Sequence, residues 1–275
     1  MNLISKVLEE KRNQSTSALI PFITAGYPDI STTVELLYTL SYEGADIIEL
    51  GIPYSDALAD GPLIQYSSKI ALSNGTYIDQ VLAVLKEVSP KIIVPIVIFT
   101  YYNPILVRGL ETFIKEASVV GVKGLIVPDL PIEETDFLSF LCTKYNIELI
   151  LFIAPTSSKD RISNILSKAP GSVYLVSSTG VTGIREDVNN DIKQLSNYIR
   201  SHTNKLIMLG FGISQPSQVS LISQWCIDGI VVGSAFIRIL SNDIDNDIDL
   251  LKVNQSEILK KVANFCKDMK LAIKS

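Results

Sequence analysis

Eight short apolar runs recur along the chain, at residues 18–24, 45–50, 92–99, 124–127, 148–153, 172–177, 205–209 and 229–232. Each is rich in Val, Ile and Leu, ends in a polar turn and gives way to a stretch with apolar residues at helical spacing. The pattern predicts strand, helix, strand, helix. Because the runs are almost continuously apolar rather than alternating, both faces of each strand are expected to be buried, as in a parallel sheet covered by helices. The helices are predicted at 32–43, 63–73, 78–88, 110–120, 133–145, 160–168, 191–201, 215–224 and 248–270. Eight strands is the count of a closed barrel, with an open doubly wound sheet as the rival arrangement. The expected fold is therefore α/β: one (β/α)₈ TIM barrel over residues 1–275. An extra amphipathic helix is expected at its N-terminus and a short helix, running to Leu240, after strand eight.

Composition narrows the class of protein. The chain is 47% hydrophobic and 19% charged, with 15 Gly and 12 Pro spread along it, so it can bury a large core without low-complexity spacers. A formal net charge of −5 and a pI near 5.0 give no basic face for nucleic acid or an anionic membrane. No apolar run approaches the roughly 20 residues of a membrane span, and the first twelve residues lack a signal-like stretch, so a soluble, unprocessed protein is expected. Cys142, Cys226 and Cys266 are far apart and odd in number, which suits buried thiols in a reducing compartment better than disulfides or a CxxC site. The Ile-, Asn-, Ser- and Lys-rich usage resembles that of an AT-rich genome. The expected location is the cytoplasm or, for an organelle-encoded chain, the plastid stroma.

Barrel enzymes carry their chemistry at the C-terminal ends of the strands and in the loops that follow. After the second strand the chain reads ELGIPYSDALADGP over residues 49–62. Glu49 shares a strand face with Ile47 and is expected to project into the barrel mouth, where apolar neighbours raise a carboxyl's pKa and let it act as an acid. The alternative is a strand-end carboxylate that merely caps a neighbouring helix, since structural carboxylates also sit at loop ends. Asp60 lies at the far end of a loop stiffened by Pro53 and Pro62; its alternative duty is to N-cap the helix beginning near Leu63, and Asp56 is equally ambiguous. Late in the chain, Gly210-Phe211-Gly212 follows strand seven and Gly233-Ser234 follows strand eight, where barrels bind phosphate on free backbone N–H groups at a short helix. Such glycines also make ordinary turns. A longer glycine-bearing loop over 178–187 has the character of a lid. With one histidine, His202, the chain lacks ligands for zinc-dependent carbon–carbon cleavage. Lys91, Lys123 and Lys205 precede their strands and so fall at the opposite face, away from any Schiff-base position.

The segments PFITAGYPD (21–29), ELGIPYSDALADGP (49–62), YYNP (101–104), VPDLP (127–131), GVTG (180–183), GFGIS (210–214) and the pair at 233–234 occur in this order over essentially the whole chain. In them the chain resembles the tryptophan synthase α subunit family. The resemblance implies a carbon–carbon lyase that cleaves indole-3-glycerol phosphate to indole and glyceraldehyde 3-phosphate. It implies Glu49 and Asp60 as catalytic carboxylates, phosphate held by Gly183, Gly212, Gly233 and Ser234, and an indole pocket of Phe22, Ile64, Tyr102, Leu125, Ile153, Tyr174 and Phe211. It also implies a lid carrying Thr182 and Arg185, and a partner face including Pro53 and Asp56. The implied partner is a β subunit in an α2β2 assembly, which receives the indole and holds pyridoxal phosphate, with no cofactor in this chain. Ala57 stands where the family usually has Pro, and Tyr54 where it often has Phe; Ala57 loosens the loop that bears Asp60. Other readings are a sugar-phosphate isomerase barrel, which would lack the 49–60 loop, and a catalytically silent regulator, against which an intact Glu49 and Asp60 speak.

Overall fold

The structure is a computed structural model and describes residues 2–176, 186–210, 212–241 and 255–274. The expected alternation is present. Helix α1 (Leu3–Asn13) precedes β1 (Ala18–Thr24), α2 (Ile30–Tyr42), β2 (Ile48–Gly51), α3 (Pro62–Ser73), α4 (Ile78–Val88) and β3 (Ile96–Phe99). Then come α5 (Tyr102–Arg108), α6 (Leu110–Val119), β4 (Gly124–Ile126), a 3₁₀ turn (Ile132–Glu134), α7 (Thr135–Lys144), β5 (Glu148–Leu149) and β6 (Leu151–Ile153). The second half runs α8 (Lys159–Lys168), β7 (Ser172–Val176), α9 (Glu186–His202), β8 (Leu206–Gly210), α10 (Pro216–Ile222), β9 (Gly229–Val232), α11 (Ser234–Ser241) and α12 (Gln255–Lys274). Strand three starts at Ile96 rather than 92, just after Pro95, a residue that cannot donate to the ladder. Helix α5 was not expected; the last helix is described over Gln255–Lys274, and residues 242–254, including the acidic stretch 242–249, lie outside the described residues.

All strand pairs are parallel, in the order β5-β4-β3-β2-β1-β9-β8-β7-β6. The two ends of that order, β5 and β6, are consecutive in the chain and separated only by Ile150. They are halves of one strand, so the sheet closes into an eight-stranded barrel, and the open doubly wound arrangement is excluded.

Two apolar layers follow from the period-two alternation of strand side chains. Outward-facing Leu19, Ile23, Leu50, Ile98, Leu125, Ile153 and Leu175 pack with the helices. Inward-facing Ala18, Ile20, Phe22, Ile47, Val97, Phe99, Ile126, Tyr174, Met208 and Val231 fill the lumen. Ile4 and Leu8 of α1, both fully buried, belong to the lumen layer and close the N-terminal end of the barrel. Gly229 makes room for them: a Cβ there would lie 2.8 Å from Leu8 Cδ2.

Polar anchors hold α1 to this floor. Buried Glu148 accepts hydrogen bonds from the Ser5 hydroxyl (2.6 Å) and amide (3.3 Å) and from the Ser172 hydroxyl and amide (both 2.7 Å). Buried Asp228 pairs with Arg12 and Arg200 and accepts the Ile207 amide (2.7 Å). Lys205, as expected from its place before a strand, is at this face and donates to the Ala169 carbonyl (2.6 Å).

Candidate active site

Strand β2 carries the central carboxylate. Glu49 is in register with Phe22 on β1 and Val97 on β3, both lumen residues, and is 1% exposed. Its Oε2 has no hydrogen-bond partner. Burial, reinforced by the negative charge of Asp60, pushes its carboxyl up to about 8. A neutral carboxylic acid is therefore held at the lumen wall near pH 7.

Asp60 arrives from the loop after β2. The N-cap of α3 is Gly61, with no side-chain cap hydrogen bond, so Asp60 is not used as a helix cap. Its carboxyl is pushed up to about 7 by burial, a rise opposed by a hydrogen bond with the Tyr101 side chain. The loop is held from two sides. Gln65 Nε2 donates to the carbonyls of Ala57 (3.1 Å) and Asp60 (3.0 Å), and the Ala59 amide donates to the Tyr101 hydroxyl (3.0 Å). Ala57 is buried in the lumen layer.

Aromatic rings line the well around these carboxylates. Phe99 meets Phe22 (5.8 Å between centroids), Tyr101 (6.3 Å) and Phe152 (6.5 Å) edge-on, and Phe152 leans on Tyr174 at 4.9 Å. The Tyr174 hydroxyl is held protonated by burial and by the charges of Glu49 and Asp60. Half-buried Gly233 lies beside Phe22, since a Cβ there would be 3.4 Å from Phe22 Cδ1, and α11 starts at the next residue, half-buried Ser234. The first N–H groups of α11 thus open close to the aromatic well. Gly212 takes a left-handed φ of 80°.

The structure brings Glu49, Asp60, Phe22 and Tyr174 together, with Ile64 packed against the same layer. Three pocket assignments need correction, each displaced by one residue. Leu125 and Ile153 face the outer layer, and Tyr102 packs against that layer too; Ile126, Phe152 and Tyr101 are the lumen residues. The reason is the strand period: a register slip of one sends a side chain to the opposite face. Phe99 was missed altogether, although Val97, Phe99 and Tyr101 stand in the alternating phase that would have identified it. Pro53 is buried and Asp56 exposed. Thr182, Gly183, Arg185 and Phe211 lie outside the described residues.

Two carboxyls with raised pKa values beside an aromatic well, inside a closed parallel barrel, place the molecule among barrel proteins with a site equipped for acid–base work. The family profile of the "Tryptophan synthase alpha chain" matches residues 8–274. The Antithamnion sp. tryptophan synthase alpha chain is 57% identical over 272 residues (99% of each chain), and that of Synechocystis sp. is 45% identical over 273 residues (99% of this chain, all of that one). Among solved structures, the tryptophan synthase α subunit of Legionella pneumophila superposes with a TM-score of 0.87 at 30% identity, covering 100% of this chain and 99% of that one. A Mycobacterium tuberculosis tryptophan synthase chain superposes at 0.88 with 28% identity, with the same coverage. The chain belongs to the tryptophan synthase alpha chain family, a family of carbon–carbon lyases in tryptophan biosynthesis.

Proposed function

We propose that the chain cleaves indole-3-glycerol phosphate with Glu49 as acid and then base and Asp60 as the partner of the ring nitrogen. Neutral Glu49 gives its proton to carbon 3 of the indole, and the ring nitrogen becomes positively charged. Ionised Asp60 accepts the N–H and stabilises that charge. The carboxylate left on Glu49 takes the proton of the side-chain hydroxyl. The bond between carbon 3 and the carbinol carbon then breaks, its electron pair restoring the aromatic ring, and the aldehyde leaves as glyceraldehyde 3-phosphate. The observation that carries this reading is a buried glutamic acid with an unsatisfied oxygen, its carboxyl pushed up by burial and by Asp60, at the wall of a well whose other walls are aromatic. Gly233 and Ser234 beside that well, with Gly183 and Gly212, are the proposed phosphate ligands.

The rim supports a partner surface. Leu58 is 90% exposed in the loop that carries Asp60, next to exposed Asp56, and Leu106 and Val107 of α5, which follows β3 at the same end, are exposed. A β subunit seated there would receive indole and supply the pyridoxal phosphate chemistry. No described helix is long and apolar enough to cross a membrane. The red-algal and cyanobacterial relatives support a plastid setting.

Incubated with indole-3-glycerol phosphate, alone and with a β subunit, the chain should release indole and glyceraldehyde 3-phosphate in equal amounts. Absence of both products in both incubations would overturn the reading.

A further inference from the structure

We propose that Tyr101 is the positioning residue for Asp60: its hydroxyl donates to the Asp60 carboxylate and aims it at the well. The inference rests on the role given above to Asp60. It begins with the count of hydrogen bonds at one oxygen. A phenol has a single O–H to donate. The Ala59 amide donates to Tyr101 Oη at 3.0 Å, so that contact uses the oxygen as acceptor and leaves the O–H free for another group. The residue next along the loop from Ala59 is Asp60, whose carboxyl and the Tyr101 phenol act on each other's ionisation, and the proposal gives the free O–H to that carboxyl. Tyr101 thus grips the loop twice, at the backbone of one residue and the side chain of the next, and the second grip favours an ionised carboxylate.

The ring is itself fixed. It is 3% exposed, stacks on Tyr54 at 5.2 Å and meets Phe99 edge-on. The amides on either side of it are tied to the neighbouring strand and its loop: Thr100 N–H to the Ile126 carbonyl (3.0 Å) and Tyr102 N–H to the Asp129 carboxylate (2.9 Å). The anchor therefore stands on the barrel wall, whereas Asp60 stands on a loop in which Ala57 supplies no proline stiffness. The charged and titratable groups around the pair are few. Asp60 faces Glu49 from β2, Tyr101 from the end of β3 and Tyr174 from β7; Tyr101 faces Asp60 and Asp129. Burial and then the charge of Asp60 push the Tyr101 phenol far above its ordinary range, so it stays a donor throughout the working pH range.

The test uses the full chain with its β subunit. Tyr101→Phe keeps the packing and deletes one oxygen. It should lower kcat about 10- to 100-fold with KM little changed, because a donor to a charged group is lost. Loss of the donor raises the Asp60 pKa, so the acid limb of the kcat profile should move to higher pH. Replacing Tyr101 with 3-fluorotyrosine, a more acidic phenol and stronger donor, should move that limb to lower pH; it also covers the case of an unstable Phe variant. In an Asp60→Asn background, Tyr101→Phe should cost little more. An unmoved acid limb in both Tyr101 variants, or additive losses with Asp60→Asn, would reduce Tyr101 to a packing residue. Wild-type turnover in Asp60→Asn alone would instead remove the role given to Asp60.

Discussion

Glu49 and Glu148 are the same residue type, each on a strand of the same barrel, 1% and 2% exposed. They differ in what meets their oxygens. Glu148, at the floor, accepts four hydrogen bonds from two serines, and Asp228 nearby is held by two arginines and an amide. Glu49, at the rim, keeps Oε2 unpartnered and is pushed up to about 8. Burial alone therefore does not mark a catalytic acid. A buried carboxylate whose oxygens are all engaged joins elements together, while one left short of donors is poised to hold and release a proton.

The sharpest way to break this contrast is to remove only the proton. Glu49→Gln should cut indole release by ~10²–10⁴-fold, the scale of a lost general acid–base, while a substrate analogue still binds. A kcat within tenfold of wild type would place Glu49 with Glu148. The mirror substitution, Glu148→Gln, turns an acceptor toward its serine donors with an amide and should cost ~2–4 kcal/mol of stability in denaturant titrations, leaving kcat unchanged in the folded protein. If activity falls and stability does not, the two roles have been exchanged.

The pH response separates the two carboxylates further. Glu49 moves from an ordinary 4.5 to about 8 on folding, so the folded chain binds an extra proton between those values and loses stability as pH rises through them. Glu49→Gln should therefore melt higher than wild type at pH 8, by ~1–3 kcal/mol in ΔG, and show little gain at pH 4.5. An equal gain at both values would mean that packing, not ionisation, is responsible. In the proposed mechanism Glu49 must be protonated and Asp60 ionised, so kcat/KM should be bell-shaped with its maximum between about 7 and 8. The smallest effect is expected at the proposed phosphate end. Ser234→Asp sets a negative charge at the start of α11 and should raise KM about tenfold, with less effect on a substrate lacking phosphate.

How much of this was legible in the chain depended on the length scale. Eight apolar runs and the helical spacing between them were enough for the barrel, because burial on both faces of a parallel strand leaves a strong compositional mark. Glu49 was legible from its phase with Ile47. The pocket wall was not, because Tyr101 and Tyr102 are identical neighbours, and Leu125 beside Ile126 and Phe152 beside Ile153 are equally apolar. Composition cannot tell which of each pair points inward. Carrying the phase of β3 forward from Val97 would have chosen Tyr101; across the Ile150 break between β5 and β6 the phase is harder to count. The anchoring role of Glu148 was hidden for another reason. Its partners lie 143 and 24 residues away, at Ser5 and Ser172, and come together only when the barrel closes.

The floor built by Ile4 and Leu8 has a consequence for traffic. A barrel stoppered at one end is closed to traffic there, so among the described residues the doorway is at the rim, where Leu58 and Val107 stand exposed. Whatever is seated over that doorway decides whether the released ring escapes to bulk water or is handed onward. The stopper at the far end thereby gives direction to a molecule it never touches.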